Sequence, residues 1–160
     1  MYLGASDIEV ELNDTFTLGL YVDVTAPADS ILSWGLDLDL SDSSLLNLNS
    51  FMLGSNFMSV PSDDGIGGAA FGPLFGSNIL LGTFEFTAVD FGSTVASTSN
   101  SLGDIFEGFT TTNFFGPSVF NSASANIRVV SAVSTVPEPS TLAIFALGIM
   151  GLASRRFKKR

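Results

Sequence analysis

Thr15–Thr25 reads TFTLGLYVDVT, a strict apolar–polar alternation. Phe16, Leu18, Leu20, Val22 and Val24 fall on one face, and Thr15, Thr17, Gly19, Tyr21 and Asp23 on the other. Side chains of a strand point to opposite faces with period two, so this stretch predicts a half-buried β-strand. Upstream, Ile8, Val10 and Leu12 alternate with Glu9 and Glu11, which predicts a shorter strand joined through an Asn13-Asp14 turn. Downstream, a loop around Pro27 leads to Ser33–Leu40, SWGLDLDL. There Trp34, Leu36, Leu38 and Leu40 oppose Gly35, Asp37 and Asp39, with the Trp and Leu side chains inside.

The pattern continues along the chain. Ser41–Ser44 is a polar turn, with one helical turn capped by Ser41 or Asp42 as the alternative. Leu45–Leu53 predicts a strand with Leu46, Leu48 and Met52 on one side. Gly54–Gly76, rich in glycine, is given one short strand at Gly68–Gly72. Asn78–Val89 is a clear strand whose Leu80, Phe84, Phe86 and Ala88 share a face with Gly82. Phe91-Gly92 turns the chain into a polar strand, Ser93–Ser99, and Val119–Val130 closes the domain. Eight or nine strands at spacings of about ten residues, with no amphipathic helix, predict an all-β fold, a single β-sandwich or jelly roll. The domain is assigned to 1–130, a linker to 131–136 and a C-terminal segment to 137–160.

Charge is divided between these parts. Up to Val136 there are fifteen acidic residues and one base, Arg128, a formal charge of −14; the remainder carries +4. A body with a single Arg cannot neutralise phosphates, which excludes nucleic acid as a partner. The sequence has no Cys and no His. A disulfide framework, the usual zinc ligands, and Ser–His or Cys–His catalysis are therefore excluded.

The C-terminal segment has three parts in order. Pro137, Glu138 and Pro139 come first. An uncharged run follows: Leu142, Ala143, Ile144, Phe145, Ala146, Leu147, Gly148, Ile149, Met150, Gly151, Leu152 and Ala153. A basic end of Arg155, Arg156, Lys158, Lys159 and Arg160 closes the chain. Twelve helical residues rise about 18 Å, short of the roughly 30 Å hydrocarbon core, so a helix here suits transient membrane engagement rather than a permanent anchor. The basic end is expected to stay cytoplasmic while the body is exported. Residues 1–12, MYLGASDIEVEL, have neither the basic nor the apolar region of a secretory signal, so a missing upstream leader is expected.

This tail resembles the PEP-CTERM sorting signal. The resemblance implies recognition by exosortase, a membrane protease-transferase, removal near the triplet, and delivery of the body to the cell surface or extracellular polysaccharide matrix. The body resembles cohesin-like domains, related to a carbohydrate-binding superfold, through four pieces in order: Leu12–Val24, Trp34–Leu48, Ile79–Val89 and Ala125–Val130. Family members usually carry a Tyr-Asp-Pro turn where this chain has Ser41-Asp42-Ser43-Ser44. Dockerin-contacting residues do not carry over, so the resemblance leaves a dockerin partner open.

Three groups of side chains are candidates for chemistry. Asp37 and Asp39, two apart on one strand, face the same side about 7 Å apart, within the range of a glycosidase carboxylate pair. A solvated outer face, with the alternating Leu side chains inside, explains both residues without a function and is the preferred reading. With Asp63 and Asp64, which precede Gly65, they are also candidate calcium ligands, since oxygen donors on a glycine-rich loop suit that ion. Phe106, Phe109, Phe114 and Phe115 are candidate ligand-binding aromatics if exposed, and core caps otherwise. The expectation is a non-enzymatic surface or matrix protein in adhesion or the exopolysaccharide matrix. The alternatives are a carbohydrate-binding module and, third, an extracellular glycosidase.

Overall fold

The alternating segments pair into two stacked sheets. The computed structural model describes residues 1–60, 65–100, 108–113 and 122–131. Among them the strands are β1 (Tyr2–Leu3), β2 (Asp7–Glu11), β3 (Thr15–Val24), β4 (Ile31–Leu40), β5 (Leu46–Leu53) and β6 (Phe57–Ser59). There follow β7 (Ile66–Leu74), β8 (Gly76–Ala88), β9 (Gly92–Ser99), β10 (Gly108–Thr111) and β11 (Ser124–Val130). One sheet runs β1-β3-β8-β5. The other runs β2-β11-β9-β4-β7-β6, with β10 also paired to β4. The pairing is antiparallel except between β2 and β11, where Asn126–Val130 lie beside Asp7–Glu11 in parallel.

The inner faces meet in one apolar layer, as aligned sandwiches require. From the first sheet come Leu18, Leu20, Leu81, Phe84 and Phe86; from the second, Trp34, Leu36, Ala125 and Ile127, all buried. Trp34 lies edge-on to Phe51 (6.3 Å, 80°) and Phe57 (6.0 Å, 86°), the arrangement that ring quadrupoles favour. Its indole Nε1 has no hydrogen-bond partner among the described residues. Asn13, in the turn between β2 and β3, adopts a left-handed φ of 72°, which Asn tolerates better than most residues.

The all-β sandwich agrees with the sequence, and several details do not. Two strands change parity through bulges, each an extra residue that resets which face the following side chains occupy. In β5 the register slips between Leu48 and Ser50, leaving Asn49 extra. Met52 pairs with Thr83 and turns outward, 69% exposed, so it does not share a face with the buried Leu46. In β8 the slip lies opposite Leu20 and Tyr21: Gly82 pairs with Leu20 and Leu80 with Tyr21. Leu81 is thereby fully buried, and Leu80 is turned away from the face of Phe84 and Phe86. The strand expected at Gly68–Gly72 runs instead over Ile66–Leu74, because β4 and β6 pair along it. β1, β6 and β10 were not expected; each is four residues or fewer, too short for alternation to register.

Ser41–Ser44 forms no helical turn. Ser44 donates its hydroxyl (2.6 Å) and its N–H (3.0 Å) to Asp42 Oδ1, a side-chain-closed turn that competes with helix. The turn is fastened to β9: the Asp42 N–H donates to Thr94 Oγ1 (3.0 Å) and the Val95 N–H to Ser41 Oγ (2.8 Å). Among the described residues no helix is long and apolar enough to cross a membrane. The expected helix at Leu142–Ala153 lies outside them.

Two measurements check this description. Leu46→Ala is expected to destabilise by about 2–5 kcal/mol in urea denaturation, whereas Met52→Ala stays within about 0.5 kcal/mol; equal losses would contradict the bulge. The Ser44 bonds hold the Asp42 carboxyl below its ordinary value of 3.8. A depressed folded-state pKa stabilises above the unfolded value, and that contribution is lost as pH falls through the folded value. The thermal-melting margin of wild type over Asp42→Asn is therefore expected to be constant near neutrality and to narrow below about pH 4.

Candidate functional site

On β4 and β9 the outer face of the second sheet carries Asp37, Asp39, Ser93, Ser97 and Ser99 beside Val95. Asp37 pairs with Ser99 and Asp39 with Ser97 across β4 and β9, which puts both carboxylates on that face, opposite the inward Leu36. Asp39 is exposed and accepts a hydrogen bond from the Ser99 hydroxyl. Asp37 is half-buried and lies against Gly65, where an added Cβ would stand 2.8 Å from Asp37 Oδ1. The chain thus returns the end of the Asp63-Asp64-Gly65 loop to Asp37, while Asp63 and Asp64 lie outside the described residues. Among the described residues no three metal-capable side chains converge.

Arg128 and Glu9 form an ion pair at 3.3 Å between β11 and β2, with both side chains more than 60% exposed. Such a pair contributes about 0–1 kcal/mol.

Phe109 belongs to β10 and pairs with Trp34. It shares Trp34's inward face and packs half-buried against the core, so its ring caps the sandwich rather than standing out as a stacking platform. Phe106, Phe114 and Phe115 lie outside the described residues, as do the sorting triplet, the apolar run and the basic end.

The outer face of the first sheet holds an aromatic pair that alternation alone does not single out. Tyr2 and Tyr21 are directly opposed across β1 and β3 and stack at 5.5 Å with 16° between their planes. Tyr21 lies over Gly19: a Cβ at that position would stand 2.7 Å from its Cε2 and 2.9 Å from its Oη. The Tyr2 hydroxyl donates to Asn78 Oδ1. Asn78, in the left-handed region at φ 57°, donates its N–H to Asp23 Oδ1 at 2.7 Å. Burial first, then the Asp23 carboxylate, raises the Tyr2 pKa, so its hydroxyl stays a donor at neutral pH. Beside Tyr21 lies a cleft of about 300 Å³. The signal in the sequence is the glycine within β3, two residues before a Tyr of the same parity.

Residues 135–159 match the family model described as the PEP-CTERM protein-sorting motif. No curated protein matches the sequence. Among solved structures, a cohesin module of a family 33 glycoside hydrolase from Clostridium perfringens is similar at 12% identity and TM-score 0.60, over 81% of this chain and 96% of that one. A type I cohesin from a cohesin–dockerin complex of Clostridium thermocellum is similar at 9% identity and TM-score 0.56, over 81% and 98%. A non-cellulosomal cohesin from the archaeon Archaeoglobus fulgidus is similar at 15% identity and TM-score 0.54, over 82% and 93%. The chain carries a PEP-CTERM sorting motif at its C-terminal end, and its body has the β-sandwich fold of cohesin modules.

Proposed function

We propose that this chain is a non-catalytic exported protein, sorted and processed at its tail by an exosortase-type membrane protease. The observation that carries this reading is the sorting motif at 135–159 behind a body of fifteen acids and one base. Before processing, Leu142–Ala153 holds the chain at the membrane and the basic end stays on the cytoplasmic side. After processing, the body remains at the cell surface or in the extracellular matrix, where its part is adhesion or matrix building.

The fold supports a recognition role rather than a catalytic one. Asp37 and Asp39 stand on the outer face of the second sheet, with Asp39 exposed, rather than in a closed cleft. The similar cohesin from Clostridium thermocellum is held in a complex with a dockerin. At this level of identity that likeness supports protein recognition as a second reading and assigns no contact residue to this chain.

Mass spectrometry of the surface-exposed form from the native host tests the sorting reading. The expected mass ends near Pro137 and lacks Arg155–Arg160. A surface form that keeps Arg160 would overturn it, and the same spectrum gives the mature N-terminus.

A further inference from the structure

We propose that the cleft beside Tyr21 binds one pyranose unit of a neutral polysaccharide. It arises where the first strand changes sheets. β1 pairs with β3 only through Tyr2 and Leu3, and makes its last bond from the Gly4 N–H to the Gly19 carbonyl at 2.8 Å. The chain then crosses to the second sheet as β2, leaving the edge of β3 around Thr17 bordered by the cleft. Its lining includes Gly4, Ile8, Thr17, Gly19, Tyr21 and Thr83.

This lining matches the two sides of a sugar ring. A pyranose has an apolar face of C–H groups and a rim of hydroxyls. Tyr21 supplies an aromatic wall for the first. The Thr17 and Thr83 hydroxyls and Tyr21 Oη supply short, neutral donors and acceptors for the second. Strand alternation also places the Thr17 N–H and C=O on the same edge as the Gly19 carbonyl, past the last bond to β1. The aromatic wall is held before any ligand arrives. Tyr21 is seated over Gly19 and stacked on Tyr2, and Tyr2 is tied through Asn78 to Asp23. Little side-chain freedom is lost on binding.

The chemistry narrows the ligand. The lining contains no base and the body is strongly acidic, so uronate or sulfated polymers are repelled. It contains no carboxylate, so a cation is not its ligand. This inference names a ligand for the body and is independent of the sorting reading, which the C-terminal mass decides separately.

The test is calorimetric titration of the full 160-residue chain with cellohexaose, laminarihexaose, mannohexaose and chitohexaose, and with polygalacturonate as the anionic comparison. At least one neutral oligosaccharide is expected to bind. Tyr21→Ala is expected to weaken that binding at least about tenfold. Gly19→Ala, which drives the ring off its seat, should act in the same direction; Tyr21→Phe, which keeps the ring and loses one hydroxyl contact, should weaken binding less than Tyr21→Ala, and Met52→Ala should leave it unchanged. Should Tyr21→Ala fail to fold by circular dichroism, Thr17→Val and Thr83→Val replace it and should each weaken binding. Failure of every neutral oligosaccharide to bind, preference for polygalacturonate, or affinity indifferent to the folded cleft variants would overturn the proposal.

Discussion

The ladder between β3 and β8 holds the rest of the structure in place. It runs from Thr15 opposite Thr87 to Val24 opposite Gly76, and both strands are interior to their sheet. β3 carries β1 on its far edge and β8 carries β5. Their inward side chains, Leu18, Leu20, Leu81, Phe84 and Phe86 among them, lie buried in the core. A body with one base cannot build a network of ion pairs, so apolar burial and backbone hydrogen bonds must supply its stability. The Arg128–Glu9 contact, exposed on both sides, adds little to them.

How much of this was legible depended on whether alternation stayed in phase. In β3 and in the second half of β4 no residue is inserted, and the faces read from the sequence are the observed ones. β9 was read correctly as a polar strand, although Thr94 and Thr98 point inward and are buried. Thr98 can do so because its hydroxyl accepts from the Ala123 N–H at 2.9 Å. In β5 and β8 the phase breaks at Asn49 and Leu81. A bulge has no compositional mark of its own; it follows from the partner strand, which local pattern does not contain. Gly54 gives a partial hint of such crowding: its N–H bonds to the Leu81 carbonyl at 2.9 Å, and a Cβ there would collide with the Leu80 carbonyl.

The candidate sites divide the same way. Asp37 and Asp39 lie on the outer face that their parity assigned. Phe109 sits in a stretch to which the sequence pattern assigned no strand, yet it is a strand residue, because β10 finds its partner far back in the chain at Trp34. The tyrosines were invisible for a different reason. Tyr2 and Tyr21 are nineteen residues apart, and β1 is only two residues long. Nothing in either local pattern says that the rings stack. The glycine at position 19 makes room for one of them, and its meaning emerges only when β1 is placed beside β3.

The cleft is set back from the point where β2 and β11 finish. β2 and β11 run in parallel and finish together, with the Leu12 N–H bonded to the Val130 carbonyl at 3.0 Å. Ile8, in the cleft lining, lies four residues back along β2, about 13 Å by strand rise. The described lining residues of the cleft all lie between Gly4 and Thr83, so a cut near Pro137 removes none of them. The fifteen acids and one base up to Val136 give the body a formal charge of −14, and the field that repels anionic polymers from the cleft belongs to the body itself.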